Sequence, residues 1–414
     1  MDSLDRVFSH IRGERIAAVT SDLIKISSIN PPGNEEELAR WTADFMKDMG
    51  MDVMIQPVAR RRANTVGKLR GRERKGCLVF SGHLDVVPVS REEQSAWRTD
   101  PFQPVIEQGR LFGRGAADAK GGAAAILCAV EAIQKARIPI AGDIMVALSA
   151  DEEGTMLGVR TLTGSGVLRE ARAVVVAEPS DNRLCLSSRG QTSGWVNIDG
   201  QTAHTSLQDA GVNAIHAAAR FIDRLLGRRP SHQPHPVLGE SYWTVTMIHG
   251  GAGESIVPDS CGLHIDGRLV PGQNAQQFWD DVETVLQEMA EADDTFSARI
   301  NILGEAAAWE TPPDSILAET AKRAIQKTLG KEPEVMGFPA TTDGAYFHSQ
   351  LGIPVAILGP GSLSSSHGAN EFVSVEQLEE AARIYAACVL EYWNTEGDDG
   401  KPPDSSRLFP VPEQ

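Results

Sequence analysis

The chain lacks several things at once. Its five cysteines, Cys77, Cys128, Cys185, Cys261 and Cys388, are scattered and odd in number, with no Cys-x-x-Cys pair. That excludes a disulfide framework and a thiolate zinc cage, and fits a reducing cytoplasm. No segment holds the roughly 18 uninterrupted apolar residues of a membrane-spanning helix. The first fifteen residues carry charges throughout, without the apolar stretch of a signal peptide. A soluble, cytoplasmic protein with no membrane partner is the expectation. Positive charge is also short: 39 basic against 56 acidic side chains leave a formal charge of -17. Such a surface repels a phosphate backbone, so nucleic acid is not an expected partner.

What is present is ordinary for a folded enzyme. The 414 residues are 41% hydrophobic and 23% charged, enough chain for two domains with buried cores. Helical spacing of apolar residues predicts a helix over 2–29, stopped by Asn30-Pro31-Pro32-Gly33, and a second over 34–49 with Asn34 as its cap. The arginine-rich stretch 60–75 lacks aromatic interleaving and reads as a solvated hairpin loop rather than a polyanion site. Short apolar runs at 77–80, 144–148, 173–177 and 355–358 read as buried strands and alternate with helices such as 122–136. The fold class is therefore α/β, a sheet flanked by helices, with reactive groups expected beyond the carboxyl ends of the strands.

Between 189 and 303 the pattern changes to strand, helix, strand, strand, helix, strand (194–198, 213–226, 243–248, 262–269, 275–292, 295–302). That is the ferredoxin-like βαββαβ order, expected as an inserted domain. The predicted organisation is a first catalytic part at 1–188, the insertion at 189–303, a second catalytic part at 304–395 with helices over 314–329 and 375–393, and a disordered Gly/Pro/Asp/Ser-rich tail at 396–414.

Five residues stand just past a predicted strand or in a glycine-rich turn: His83, Asp118, Glu153, Glu178 and His367. Singly each has a plain structural explanation. A His83/Asp85 pair can be a hydrogen-bonded couple in which Asp85 orients the imidazole. Asp151-Glu152-Glu153 can be an exposed acidic turn, and Glu178 a helix cap. Asp118, before Lys120-Gly121-Gly122, lies outside any phosphate-loop pattern. Together, two histidines and three carboxylates can supply two divalent ions with the nitrogen and oxygen ligands that suit zinc. Glu152 is then left over, placed to take a proton from a water the metals polarise.

The motifs Ser81-Gly82-His83-Leu84-Asp85-Val86-Val87-Pro88, Gly113-Arg114-Gly115 through Asp118-Ala119-Lys120-Gly121-Gly122, Asp151-Glu152-Glu153-Gly154, Ala177-Glu178-Pro179 and Gly359-Pro360-Gly361 through His367 follow one another in order. In this the chain resembles the acetylornithine deacetylase and succinyl-diaminopimelate desuccinylase family of dizinc hydrolases, with aminoacylases, glutamate carboxypeptidases and dipeptidases among its members. The resemblance implies that His83 and Glu178 hold one zinc, Glu153 and His367 the other, and that Asp118 bridges them. It implies Glu152 as general base with Asp85 behind His83, and an inserted lid or dimerisation domain.

From that insertion His204 would reach a neighbouring active site to stabilise an oxyanion, making the working unit a homodimer. Arg268, Ser255 and Gly361 resemble positions that contact substrate, with a salt bridge inside the inserted sheet as the alternative for Arg268. Ser255 departs from the family, whose members commonly carry asparagine there. The expected reaction is hydrolysis of the amide bond of a small N-acyl amino acid or related amide, with two zinc ions, or cobalt or manganese on the same ligands. A dipeptidase or glutamate-carboxypeptidase-like metallopeptidase is the alternative, and an inactive binding relative a further one.

Overall fold

The computed structural model describes residues 2–73 and 75–395, so the predicted tail at 396–414 lies outside the described residues. The chain divides into two units. One takes the residues up to Leu186, Thr311–Met336 and those from Thr342 on; the other is Ser187–Glu310 with Gly337–Thr341.

The first unit is a mixed sheet flanked by helices. Its strands run in the order Asp52–Ala59, Arg62–Leu69, Asp143–Ser149, Cys77–His83, Ala171–Val176, Val355–Ile357, Leu184–Ser188. Four of them are parallel: Cys77–His83 lies between Asp143–Ser149 and Ala171–Val176, and Val355–Ile357 adds beyond Ala171–Val176. These are the short apolar runs of the sequence, and they are buried because helices cover a parallel sheet. Helices Gly13–Lys25, Lys120–Ala136, Ile316–Leu329 and Val375–Thr395 pack on one another. Helix Lys120–Ala136 lies directly on the sheet backbone, since a Cβ at Gly122 would come 2.5 Å from the Ala177 carbonyl oxygen. Only glycine permits that approach beside the strand end that leads to Glu178.

Three local expectations are corrected. The predicted helix over 2–29 is two helices, Ser3–Phe8 and Gly13–Lys25; the second starts where the Gly13 N–H donates to Glu379 Oε2 at 2.6 Å. Asn34 caps nothing: the next helix is Glu36–Asp48, and it is preceded by Glu35, buried against Arg62. The 60–75 stretch is not all loop. Its turn is at Arg60 and Arg61, and Arg62–Leu69 is a strand with Asn64, Thr65 and Val66 buried. Burial of the strand's aliphatic and hydroxyl side chains outweighs the charge at its two ends.

The second unit has an antiparallel sheet in the order Tyr242–Gly250, Ser260–Leu269, Gly190–Asp199, Ser297–Ala306, with helices Ala214–Leu226 and Ala275–Ala292. Burial alternates strictly along Gly190–Asp199, so one face points into a core of Val196, Ile198, Phe221, Leu263, Ile265, Phe278 and Trp279. Asn274 and Gln277 close a capping box at the second helix. This unit extends beyond 189–303 on both sides. Trp309 and Glu310 pair with Ser188 and Ser187, and the Ser188 hydroxyl donates to the Ala340 carbonyl at 2.7 Å. Among the described residues no helix is long and apolar enough to cross a membrane.

Candidate metal centre

The parallel strands end together, and their ends carry the donors. His83 closes Cys77–His83; Glu152 and Glu153 follow Asp143–Ser149; Glu178 follows Ala171–Val176; His367 lies in the loop after Val355–Ile357. Asp118 comes from the loop that enters helix Lys120–Ala136. The structure brings these side chains to one place. Asp118 stands between the two imidazoles, with Oδ1 2.9 Å from His83 Nε2 and Oδ2 3.4 Å from His367 Nε2. His367 Nε2 is 2.8 Å from Glu153 Oε1, and His83 Nε2 is 3.9 Å from Glu178 Oε2. Donor atoms of His83, Asp118 and Glu153 all lie within 4.8 Å of one another.

The electrostatics are those of a site short of positive charge. Burial, then the neighbouring Glu178, holds the Glu152 carboxyl well above its usual range. Burial pushes Glu178 up to about 8 and Asp343 up to about 7. His83 is pulled down by burial but raised well above normal by Asp118, Glu178 and Glu152, and the hydrogen bond to Glu153 raises His367 to about 8. Two imidazoles do not balance that many desolvated carboxylates. Divalent cations do, and the imidazole and carboxylate donors present fit them.

The supporting contacts differ from the simplest picture of Asp85. The His83 Nδ1 faces the Asp85 main-chain carbonyl at 3.0 Å, while the Asp85 carboxylate is 3.7 Å from Nδ1. That carboxylate accepts instead from the Glu152 N–H (3.1 Å), the Glu153 N–H (3.0 Å) and Asn30 Nδ2 (2.8 Å). Asp151 is engaged by other partners. It accepts from Arg62 Nη1 at 2.7 Å and Asn30 Nδ2 at 3.0 Å, so an arginine supplies its counter-charge.

Sequence reasoning missed Asp343, buried and hydrogen-bonded by the Ser149 hydroxyl, and Glu371, which accepts from the Ala117 and Asp118 N–H groups. It also missed Asn30. The remaining candidates lie as follows. Gly361, at φ +85°, sits against the Asp118 loop, where a Cβ would be 2.8 Å from Ala117 Cβ. His204, Ser255 and Arg268 belong to the second unit. His204 is exposed, with Nδ1 2.7 Å from Ser206 Oγ; Ser255 is exposed; Arg268 donates through Nε to Asp266 at 2.8 Å.

A mixed-sheet α/β unit with imidazoles and carboxylates gathered at its strand ends is that of a metal-dependent hydrolase. The chain belongs to Peptidase family M20/M25/M40, whose sequence profile it matches over residues 79–391. It is 29% identical over 412 residues to the N-formyl-4-amino-5-aminomethyl-2-methylpyrimidine deformylase of Bacillus subtilis, covering 92% of this chain and 95% of that one. It is 28% identical over 384 residues to the acetylornithine deacetylase of Photorhabdus laumondii, covering 90% and 94%. Its fold superposes on a tripeptidase from Staphylococcus aureus with a TM-score of 0.79 at 21% identity, over 93% of this chain and 100% of that one. The chain is thus a metal-dependent hydrolase of carbon–nitrogen bonds.

Proposed function

We propose that this hydrolase removes a small acyl group from the nitrogen of a compact metabolite such as an N-acyl amino acid, with two zinc ions as cofactor and Glu152 as general base. The observation that carries the role of Glu152 is its carboxylate: buried beside the donors, it accepts no hydrogen bond among the described residues, whereas Asp118 and Glu153 are engaged by His83 and His367. A base kept free of partners can accept a proton. His83 and Glu178 would hold one ion, Glu153 and His367 the other, and Asp118, between the two imidazoles, would serve both.

Two such ions supply a lowered water pKa and a polarised scissile carbonyl. Glu152 takes the proton of the attacking water as its oxygen bonds to the acyl carbon. It returns that proton to the departing nitrogen as the carbon–nitrogen bond breaks. Asp85 holds Glu152 and Glu153 in register through their N–H groups. His204, contributed by a second copy in a homodimer, stabilises the oxyanion; Arg268 takes a substrate carboxylate, and Ser255 and Gly361 line the pocket.

Support for a small acyl group comes from the two relatives, one named for removing formyl and the other for removing acetyl. The test is a panel of N-formyl, N-acetyl, N-succinyl and N-carbamoyl amino acids beside dipeptides, run with zinc and with cobalt. The expected result is a higher kcat/KM for at least one short-chain acyl compound than for any dipeptide. Preference for dipeptides throughout would replace the deacylase reading with a peptidase one. Cytoplasmic residence is part of the proposal and accords with five free, buried thiols.

A further inference from the structure

Resting on the reading of Asp118 as the ligand shared by two ions, the geometry points to Glu371 as a positioning residue. It fixes the direction in which Asp118 enters the centre and locks the Asp118 loop to the loop that carries His367.

Glu371 is 1% exposed and sits four residues beyond His367 in sequence. Its Oε1 accepts two consecutive N–H groups, from Ala117 at 3.0 Å and from Asp118 at 3.1 Å. Holding both fixes the two successive peptide planes that meet at Ala117, and with them the departure of the Asp118 side chain. Its Oε2 accepts from Arg114 Nη1 at 2.8 Å, and its main-chain carbonyl accepts the Gly113 N–H at 3.0 Å. Glu371 therefore grips the Asp118 loop at both ends.

Arg114 completes the lock. Its guanidinium is 1% exposed, pairs with Glu93 as well as Glu371, and lies 5.6 Å from the Trp97 ring. Through Nη1 it also donates to the Gly368 carbonyl at 3.3 Å, one residue past His367. One buried ion pair thus touches both loops. Asp118 must face His83 and His367 at once, at 2.9 Å and 3.4 Å, and a ligand shared between two ions tolerates little more than about half an ångström of misplacement. A buried pair of this kind adds little to stability over an apolar substitute, so its value lies in what it holds in place.

The test compares wild type, Asp118→Asn, Glu371→Ala and Glu371→Gln, each reconstituted with zinc. Readouts are metal stoichiometry, zinc affinity by chelator competition, the visible spectrum after cobalt substitution, kcat and KM, and melting of the metal-free protein. Glutamine keeps an acceptor oxygen for the two N–H groups but loses the charge facing Arg114; alanine loses both. Expected is a fall in zinc affinity of about 10- to 100-fold for Glu371→Ala and a smaller one for Glu371→Gln. The cobalt spectrum should change in both, and kcat should fall with KM within about threefold of wild type. Unchanged metal affinity and cobalt spectra in two folded variants, with only the melting temperature lowered, would overturn the positioning role and leave the metal centre standing. A wild type that binds no more zinc than Asp118→Asn would overturn the metal centre and this role with it.

Discussion

The Asp85 carboxylate accepts the main-chain N–H of Glu152 at 3.1 Å and stands 3.7 Å from His83 Nδ1, so the aspartate two residues beyond His83 holds the backbone of the proposed general base rather than the imidazole. Its second oxygen takes the Glu153 N–H and the Asn30 amide, which leaves the fully buried group satisfied on both oxygens. Replacing it strands these donors in the interior, at roughly 1–3 kcal/mol for each one left unpaired. Asp85→Ala is expected to lower kcat about 10- to 100-fold with KM little changed, and to lower the melting temperature. Steady-state kinetics and a thermal melt check both. A rise in KM at unchanged kcat would assign Asp85 to substrate binding instead.

Removing metal should cost stability as well as turnover. Desolvation, reinforced by neighbouring carboxylates, raises the proton affinity of Glu152, Glu153, Glu178 and Asp343. An ion bound only by the folded state stabilises it by about 3 kcal/mol when free metal exceeds Kd a hundredfold. Dialysis against a chelator should therefore lower the melting temperature and abolish turnover, and zinc, cobalt or manganese should restore both. A melting temperature unmoved by the chelator would argue against ions at this site.

His204 is exposed, and its Nδ1 caps the short helix Thr205–Ala210 by accepting the Ser206 N–H at 3.2 Å, so the proposed role falls to Nε2. His204→Ala should cut kcat about 10²- to 10³-fold, as loss of an oxyanion donor does, with a smaller change in KM. Mixing His204→Ala with Glu152→Gln subunits should recover activity, because some mixed dimers contain one intact site. No recovery after demonstrated subunit exchange would place the histidine in its own chain's site.

The five free cysteines are buried, and burial pushes the Cys128, Cys185 and Cys388 thiols up to about 12. A raised thiol pKa means the folded state holds the proton more tightly than the unfolded one. Their contribution is fully present below the ordinary thiol pKa of about 8.5 and is lost as pH rises from there through about 12. Native protein at pH 8 should leave all five unreacted with a thiol reagent and expose them in denaturant, and stability should fall above pH 9. Rapid labelling of the native protein would contradict their burial.

Much of the first unit was legible because its candidate ligands obey a local rule. His83, Glu153 and Glu178 each fall within a few residues of the end of an apolar run, and such runs become parallel strands whose ends meet. What supports those ligands obeys no local rule. Glu371 reaches Ala117 across 254 residues, and Arg62 reaches Asp151 across 89. Nothing near either residue in sequence distinguishes a buried, fully bonded charge from a solvated one. Arg62 shows the cost: a run of arginines reads as solvent-facing, yet this one lies over Glu35 and Asp151 with a side chain only 12% exposed. Asp343 was hidden for the same reason, since its partner, the Ser149 hydroxyl, is 194 residues away.

The most direct measurement is metal content and turnover on one protein, Glu152→Gln. Glutamine preserves the size of the side chain and the main-chain N–H that Asp85 accepts, but it cannot take a proton. The expected result is two equivalents of bound metal, as in wild type, with kcat lower by about 10²- to 10⁴-fold on the best substrate of the panel. Full turnover by Glu152→Gln with its metal in place would contradict the role of Glu152 as general base.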